Sequence, residues 1–309
     1  MTLPLGPLAA FMASVTWAIG VSTYTRLSAK YPAYQVHLAR IMIALPLFTI
    51  AVVINGGFSE FLKITDHNLV WGFVSALASF ALGDVLFLWS TVALGAPAAL
   101  AIASTYPFWS ALAGVFLKGE ALTGMKAFGL LLVVGGTVTV ILSGYRRSNI
   151  DVKRELEKRI TPAREKKLLE QYSVGLTFAF LTSLAWALNT YSGMQTAHGV
   201  SAPVANFIRM GMSLFLCPLV GSLLTRARPR ALPFKEFKRY GWVFAFEAFG
   251  GSMCYIYGLM HAPLAVASAL SSLAPVLAVP IGLLFGLEKF SFQKTLGIAM
   301  VVAGISLLV

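Results

Sequence analysis

Charge is what this chain has least of. Of its 309 residues, 12 are acidic and 24 basic, while 58% are hydrophobic and the mean hydropathy is +0.78. A soluble core of this size does not need such a bias, so an ordinary water-soluble domain is excluded and the chain belongs in a bilayer. Cysteine is nearly absent. Cys217 and Cys254 both fall in apolar stretches and read as apolar fillers, with neither a disulfide framework nor metal-ligand spacing. No HExxH and no clustered Cys/His ligands occur, so no metal is expected. No GxxxxGK[ST] loop occurs, so no ATP motor is encoded here and no cofactor is expected. Ser, His and Asp form no recognisable catalytic set, and the chain reads as a non-enzyme with no catalytic residue to assign.

What the chain has in abundance is long apolar runs. At ~1.5 Å rise per residue, about 20 apolar residues cross a ~30 Å hydrocarbon core. Ten stretches qualify: Leu5–Thr25, Ala33–Ile54, Val70–Leu94, Ala96–Leu117, Gly124–Leu142, Val174–Ala197, Ala202–Leu224, Tyr240–Leu259, Pro263–Phe285 and Phe292–Leu308. The expected class is therefore an all-α integral membrane protein with ten transmembrane helices. The third and fourth stretches are separated by little more than Gly95. The first reads as a span and not a cleaved signal peptide, because no Lys or Arg precedes it.

The chain is also written twice. Ser14, Trp17, Ala18 and Arg40 recur 169 residues later as Ser183, Trp186, Ala187 and Arg209. Ser104, Pro107, Gly114, Glu120, Lys126, Gly129 and Gly136 recur 168 residues later as Ser272, Pro275, Gly282, Glu288, Lys294, Gly297 and Gly304. Ten spans in two copies give five per copy. Five is odd, so the second copy must enter the membrane from the opposite side, as an inverted repeat of the kind found in secondary transporters. Residues 1–145 and 173–309 are the expected five-helix repeats.

The net charge of +12 does not imply a nucleic-acid partner, because its distribution follows the membrane. Nineteen basic residues fall on one side: Arg26 and Lys30, nine from Arg146 to Lys167, six from Arg226 to Arg239, and Lys289 with Lys294. Lys63, Lys118 and Lys126 fall on the other. This positive-inside pattern places the basic loops in the cytoplasm and both termini outside, in the cell (plasma) membrane. The charged segment 146–172 is expected to be a cytoplasmic linker of one or two short helices broken at Pro162. Glu155 there faces Arg159 at i,i+4, and Thr161-Pro162 reads as a cap and first-turn proline. Before the fifth and tenth spans, Thr123 and Ser291 stand where N-caps belong. Glu120 and Glu288 lie just upstream, where a carboxylate meets the positive end of the following helix dipole.

With the Trp of spans 1 and 6, the Arg of spans 2 and 7, and the stretch from Pro107 to Gly119-Glu120 (Pro275 to Leu287-Glu288 in the second copy, without the Gly), the chain resembles the EamA-like members of the drug/metabolite transporter superfamily. The resemblance covers nearly the whole chain. It implies a carrier in which spans 1, 3, 4, 6, 8 and 9 line a central cavity. The family's substrates are small metabolites such as amino acids, drugs, nucleotide sugars and sugar phosphates, and many members are exporters. Family members are often described with both termini cytoplasmic, whereas this charge pattern says the reverse.

Within the spans, a few residues carry chemistry. Asp84 and Glu247 are the only acids there, in equivalent spans 3 and 8. A carboxylate in hydrocarbon costs roughly 2.5–3.5 kcal/mol on insertion scales, so it faces a cavity or a partner. It could couple protons or bind a substrate ammonium, or serve as a structural carboxylate hydrogen-bonded to Ser, Tyr or Trp. His37-x-x-Arg40 aligns with Asn206-x-x-Arg209, each pair on one helix face, as a structural or an anion-binding unit. Trp17 and Trp186 lie in mid-span with Tyr24, Asn189 and Tyr191 near them, an amphipathic set suited to a metabolite or to groove filling. Ser104 and Ser272 join them as cavity candidates. Pro107 and Pro275, each three residues on, favour kinks that could act as gates, and Pro280 adds a second break to span 9. The function expected is secondary transport of a small organic metabolite, an amino acid or similar amphipathic solute, by alternating access, with the bilayer and protons as the other partners. The alternative is a membrane enzyme or lipid-flipping accessory protein acting on lipid-linked substrates.

Overall fold

Hydrocarbon offers the backbone no hydrogen-bond partner, so a chain this apolar must satisfy its peptide groups within each segment, and helices do so. In the computed structural model all described elements are helical. Described are the backbone of residues 5–28, 30–94, 96–156, 162–225, 230–277, 279 and 291–308, without the side chains of 21–26, 28, 33, 88, 91–92, 96–98, 144–156, 162–171 and 224–225.

The first half consists of α1 (Leu5–Ser28), α2 (Ala33–Gly56), a short 3-10 helix (Phe58–Lys63), α3 (Asp66–Ala76), a π-helical segment π1 (Leu77–Ala81), α4 (Gly83–Leu94), α5 (Ala96–Ala103), α6 (Tyr106–Lys118) and α7 (Gly124–Leu156). The second half has α8 (Pro162–Thr196), α9 (Ala202–Thr225), α10 (Phe234–Phe244), π2 (Ala245–Gly251), α11 (Ser252–His261), α12 (Leu264–Ser271) and, last, α13 (Phe292–Leu308). Seven described helices are long and apolar enough to cross a membrane, and three shorter apolar helices run over Leu5–Gly20, Leu264–Leu277 and Phe292–Leu308.

Hydropathy placed the starts of six described helices: Leu5, Ala33, Ala96, Gly124, Ala202 and Phe292 all begin elements. It could not show where a span is broken. The third and eighth stretches each contain a π segment, and the fourth is interrupted at residues 104–105. The linker also differs from expectation. Its helices are extensions of the spans on either side, α7 continuing to Leu156 and α8 starting at Pro162. Pro162 opens α8 at the position where a missing N–H costs nothing; Thr161 lies outside the described residues.

The exterior is strongly apolar, and the hydrophobic interior also holds many buried polar side chains. Large hydrophobic side chains such as Ile50, Phe116, Leu131, Phe215 and Val302 are exposed, while Ser14, Ser75, Thr182, Ser183, Thr190, Asn206, Arg209 and Glu247 are buried. Lipid solvates the first set; the second is satisfied inside the protein, Ser14 and Thr182 by carbonyls of their own helices and Arg209 and Glu247 by side chains of other helices. Accordingly α2 packs on α9, α1 on α11 and α12, α3 on α8 and α9, α4 on α8, and α6 on α12.

The tightest crossing is α7 against α13. A Cβ built on Gly136 would lie 2.5 Å from the Gly297 carbonyl oxygen, and one on Gly304 the same distance from that of Gly129. All four of these glycines belong to pairs that recur at 168 residues, and they meet crosswise, backbone on backbone. Glycine is required because any side chain would hold the helices apart.

Candidate functional site

The two π segments lie 168 residues apart, Leu77–Ala81 and Ala245–Gly251. In the first, the Leu82 N–H reaches back five residues to the Leu77 carbonyl at 2.8 Å. Such bulges widen a helix turn and re-aim its side chains. Gly83 stands two residues past the first and Gly251 ends the second, and an indole from the other half rests on each. A Cβ on Gly83 would come within 3.1 Å of the Trp186 ring, and one on Gly251 within 2.8 Å of Trp17 Nε1. The recurring tryptophans thus lock to recurring glycines across the protein. Trp17 also stacks at a tilt on Tyr255, with ring centroids 5.3 Å apart. Trp186 packs on Phe87 and, edge-on, on Tyr106.

Around the first indole-glycine lock lies a chain of four ionisable side chains. Arg40 on α2 grips Glu247 in π2 through two bonds, Nε to Oε2 at 3.1 Å and Nη2 to Oε1 at 2.6 Å. Its Nη1 lies 2.9 Å from His37 Nδ1. A guanidinium can only donate, so Nδ1 accepts and the imidazole proton is on Nε2. That nitrogen is 3.0 Å from Asp84 Oδ2 on α4, and the Trp186 indole N–H also bonds to Asp84. Both in-span acids are therefore brought into one network, Asp84–His37–Arg40–Glu247. With His37 neutral, the network carries a net charge of one negative unit.

The second half builds a matching cluster without acids. Arg209 on α9 donates from Nε to Ser75 Oγ at 2.7 Å, from Nη1 to Asn206 Oδ1 at 3.1 Å and from Nη2 to Asn189 Oδ1 at 3.0 Å. Ser75 Oγ donates in turn to Asn189 Oδ1 at 2.8 Å. Asn206 also donates to the Ser252 carbonyl at 3.1 Å, and the Tyr255 hydroxyl to Thr190 Oγ1 at 2.9 Å. The guanidinium carbon is 6.0 Å from the centre of the Tyr255 ring.

The EamA-like transporter family profile matches residues 4–142 and 173–309. The chain belongs to the EamA-like transporter family. A solved crystal structure is similar over 98% of this chain and 96% of its own, at 18% identity and a TM-score of 0.74, a likeness of fold alone. Among curated proteins, none matches the chain. Membership makes the protein a membrane transporter of the drug/metabolite type, and such transporters are generally not enzymes.

Other expected site residues of this transporter fall into place less centrally. Tyr191 packs edge-on against Trp71, and its hydroxyl accepts from Gln195 Nε2 at 2.7 Å. Ser104 and Ser272 are buried at the breaks after α5 and α12, and Ser272 Oγ turns back to the Ala269 carbonyl at 2.8 Å. Pro107 stands in the first turn of α6, with the break before it, so it costs no interior hydrogen bond. Pro275 likewise follows a turn at 272–273 and opens a new helical turn at 274–277. The breaks are therefore in the backbone ahead of the prolines, not at them. The side chain of Tyr24, and Glu288, Pro280 and Leu287, lie outside the described residues.

Thr123 caps α7, accepting from the Lys126 N–H at 3.4 Å, and Ser291 precedes α13, its carbonyl accepting from Thr295 at 3.0 Å. Glu120 departs from expectation. Its Oε2 accepts from the Leu264 N–H at 2.9 Å, so it caps α12 of the other half. Gly119 at φ 68° ends α6 and turns the chain so that Glu120 can reach there, and Gly114 leaves room for the carboxylate. Sequence reasoning missed Ser75, Tyr106, Tyr255, Gly83 and Gly251. The glycines were findable, since they obey the same offset of 168.

Proposed function

We propose that the protein is a secondary carrier that moves a small organic metabolite by alternating access, using ten spans arranged as two inverted five-helix repeats (1–145 and 173–309) joined by the linker 146–172. The observation that carries this reading is the in-span network Asp84–His37–Arg40–Glu247, which ties α2 and α4 of one half to π2 of the other. An ionised network at this depth is costly to keep and marks transport pathways. The twinned π segments, indole-glycine locks and crossed glycines support a duplicated, oppositely inserted frame. Two such halves can exchange conformations, opening one face and then the other.

Protons are the proposed coupling ion. The network holds one more negative than positive charge, and a single proton neutralises it. Asp84 is the acceptor, because Glu247 already has a full counter-charge in Arg40. In proteoliposomes, Asp84→Asn is expected to abolish substrate accumulation driven by a pH gradient while leaving downhill exchange intact. Unchanged pH-driven accumulation in a normally expressed mutant would remove Asp84 from the mechanism.

The orientation follows from the basic residues. With 19 on one side, the linker and the 226–239 segment are cytoplasmic and the termini outside, in the plasma membrane. Single cysteines placed at Lys158 and at Lys235 should resist an impermeant thiol reagent applied to intact cells. Ready labelling of both from outside would reverse the assignment.

A further inference from the structure

Arg40 and Arg209 occupy the same place in their helices, and their surroundings differ in one respect. Each turns Nη1 to the side chain three residues earlier, His37 Nδ1 at 2.9 Å and Asn206 Oδ1 at 3.1 Å. Each presents its Nε/Nη2 edge to a pair of oxygens. On Arg40 the pair is the Glu247 carboxylate. On Arg209 it is Ser75 Oγ and Asn189 Oδ1, two neutral atoms from different helices held 2.8 Å apart by their own hydrogen bond. The pair imitates a carboxylate in position but supplies no charge.

Arg209 is 3% exposed, and among the described residues no acid forms an ion pair with it. Asp84 faces His37 and, beyond it, the Arg40 guanidinium, not Arg209. A guanidinium does not shed its proton, and a buried charge without a counter-charge is expensive. The repeat itself shows how the fold neutralises an arginine at this position when neutrality is what is needed. It does so with Glu247 on Arg40, and does not on Arg209.

We propose that the Nε/Nη2 edge of Arg209 is the binding site for the carboxylate of a small monoanionic carboxylic acid, taken in place of Ser75 Oγ and Asn189 Oδ1. This rests on the carrier reading and names the substrate class. The fork of a guanidinium matches a carboxylate with two parallel bonds. The displaced Ser75 hydroxyl and the Asn189 amide can then donate to the same oxygens. One cation among neutral groups fits a monoanion; a phosphate monoester, at about −1.5 to −2 charge, would be left undercompensated. Tyr255 lies beside the guanidinium, with Trp17 packed against it, and the two rings offer apolar surface to the rest of the acid.

The test uses the purified full-length protein, its thermal unfolding followed in detergent with phenylacetate, phenylacetamide, benzoate, N-acetylglycine and inorganic phosphate. At least one monocarboxylate is expected to raise Tm, with no rise from the amide or from phosphate. Arg209→Gln should weaken that response at least tenfold, with Arg209→Lys between. The deciding variant is Ser75→Asp, which gives Arg209 the internal carboxylate that Arg40 has. It is expected to raise the Tm of the ligand-free protein, and to abolish both the carboxylate response and carboxylate flux in proteoliposomes. An Arg209 that merely braces helices would leave both intact in Ser75→Asp.

An equal response to the amide, a response to phosphate alone, no response to any of the acids, or a Ser75→Asp protein that is less stable or still responsive would overturn the proposal. Flux of a neutral or cationic solute with none of the carboxylates would remove this site and leave the carrier standing. A carboxylate response lost in Ser75→Asp, without flux of any solute, would establish the site and remove the carrier.

Discussion

Replacing Glu247 by Leu should cost the protein about 3–5 kcal/mol, because it removes both direct carboxylate bonds of the buried Arg40 guanidinium and leaves Asp84, reached only through His37, as the remaining acid of the network. The Glu247 side chain is 3% exposed and that of Arg40 12%, so water cannot take over the solvation. The size of the loss reflects the stranded charge and not the worth of the bond. Arg40→Leu/Glu247→Leu should therefore recover most of the stability lost in either single variant. Thermal unfolding of the four proteins in one detergent measures this as a double-mutant cycle. Additive losses would mean that the two groups are not coupled as described. The recovered double variant is also informative about transport. It keeps the fold while releasing His37 from Arg40, so the Asp84–His37 unit is left without its neighbouring cation.

Widening the α7–α13 crossing should be comparably damaging. A Cβ on Gly136 meets the Gly297 carbonyl oxygen at 2.5 Å and Val301 Cγ2 at 2.8 Å, and the first of these is backbone that cannot rotate away. Gly136→Val and Gly304→Val are each expected to lose at least roughly 1–3 kcal/mol, the usual cost of overpacking. Gly211, in the middle of α9, is the control, since nothing lies within 4 Å of a Cβ built there. Gly211→Ala should be neutral or stabilise by about 0.4–1 kcal/mol through the unfolded chain. Unfolding midpoints of the three variants in detergent separate the two cases. Valine tolerated at both crossing positions would show that α7 and α13 are not held by backbone contact.

Much of the site was visible before any coordinates. The spacing His37-x-x-Arg40 and its copy Asn206-x-x-Arg209 placed each pair on one helix face, and in both the two side chains touch. Asp84 and Glu247 stood out because acids are rare in hydrocarbon. Their partners did not, because the Arg40–Glu247 bond spans 207 residues and the Ser75–Arg209 bond 134. No local pattern encodes such pairings. Glu120 illustrates the same gap. Its position before a helix suggested the dipole of α7, but the N–H group within reach belongs to Leu264, 144 residues away.

The sequence by itself determined that this is an apolar helical chain of the EamA-like kind, where six of its described helices begin, and which residues recur. Those properties follow from hydropathy, backbone hydrogen bonding in lipid and copied residue types, all of which act along the chain. Only the tertiary structure decided which charges meet, where helices open into π turns, and that one recurring arginine is neutralised while the other is not. The reason is physical. A hydrophobic run specifies its own helix, whereas the partner of a buried ion is set by how separate helices pack, and a serine at the right crossing is indistinguishable in sequence from dozens of ordinary ones.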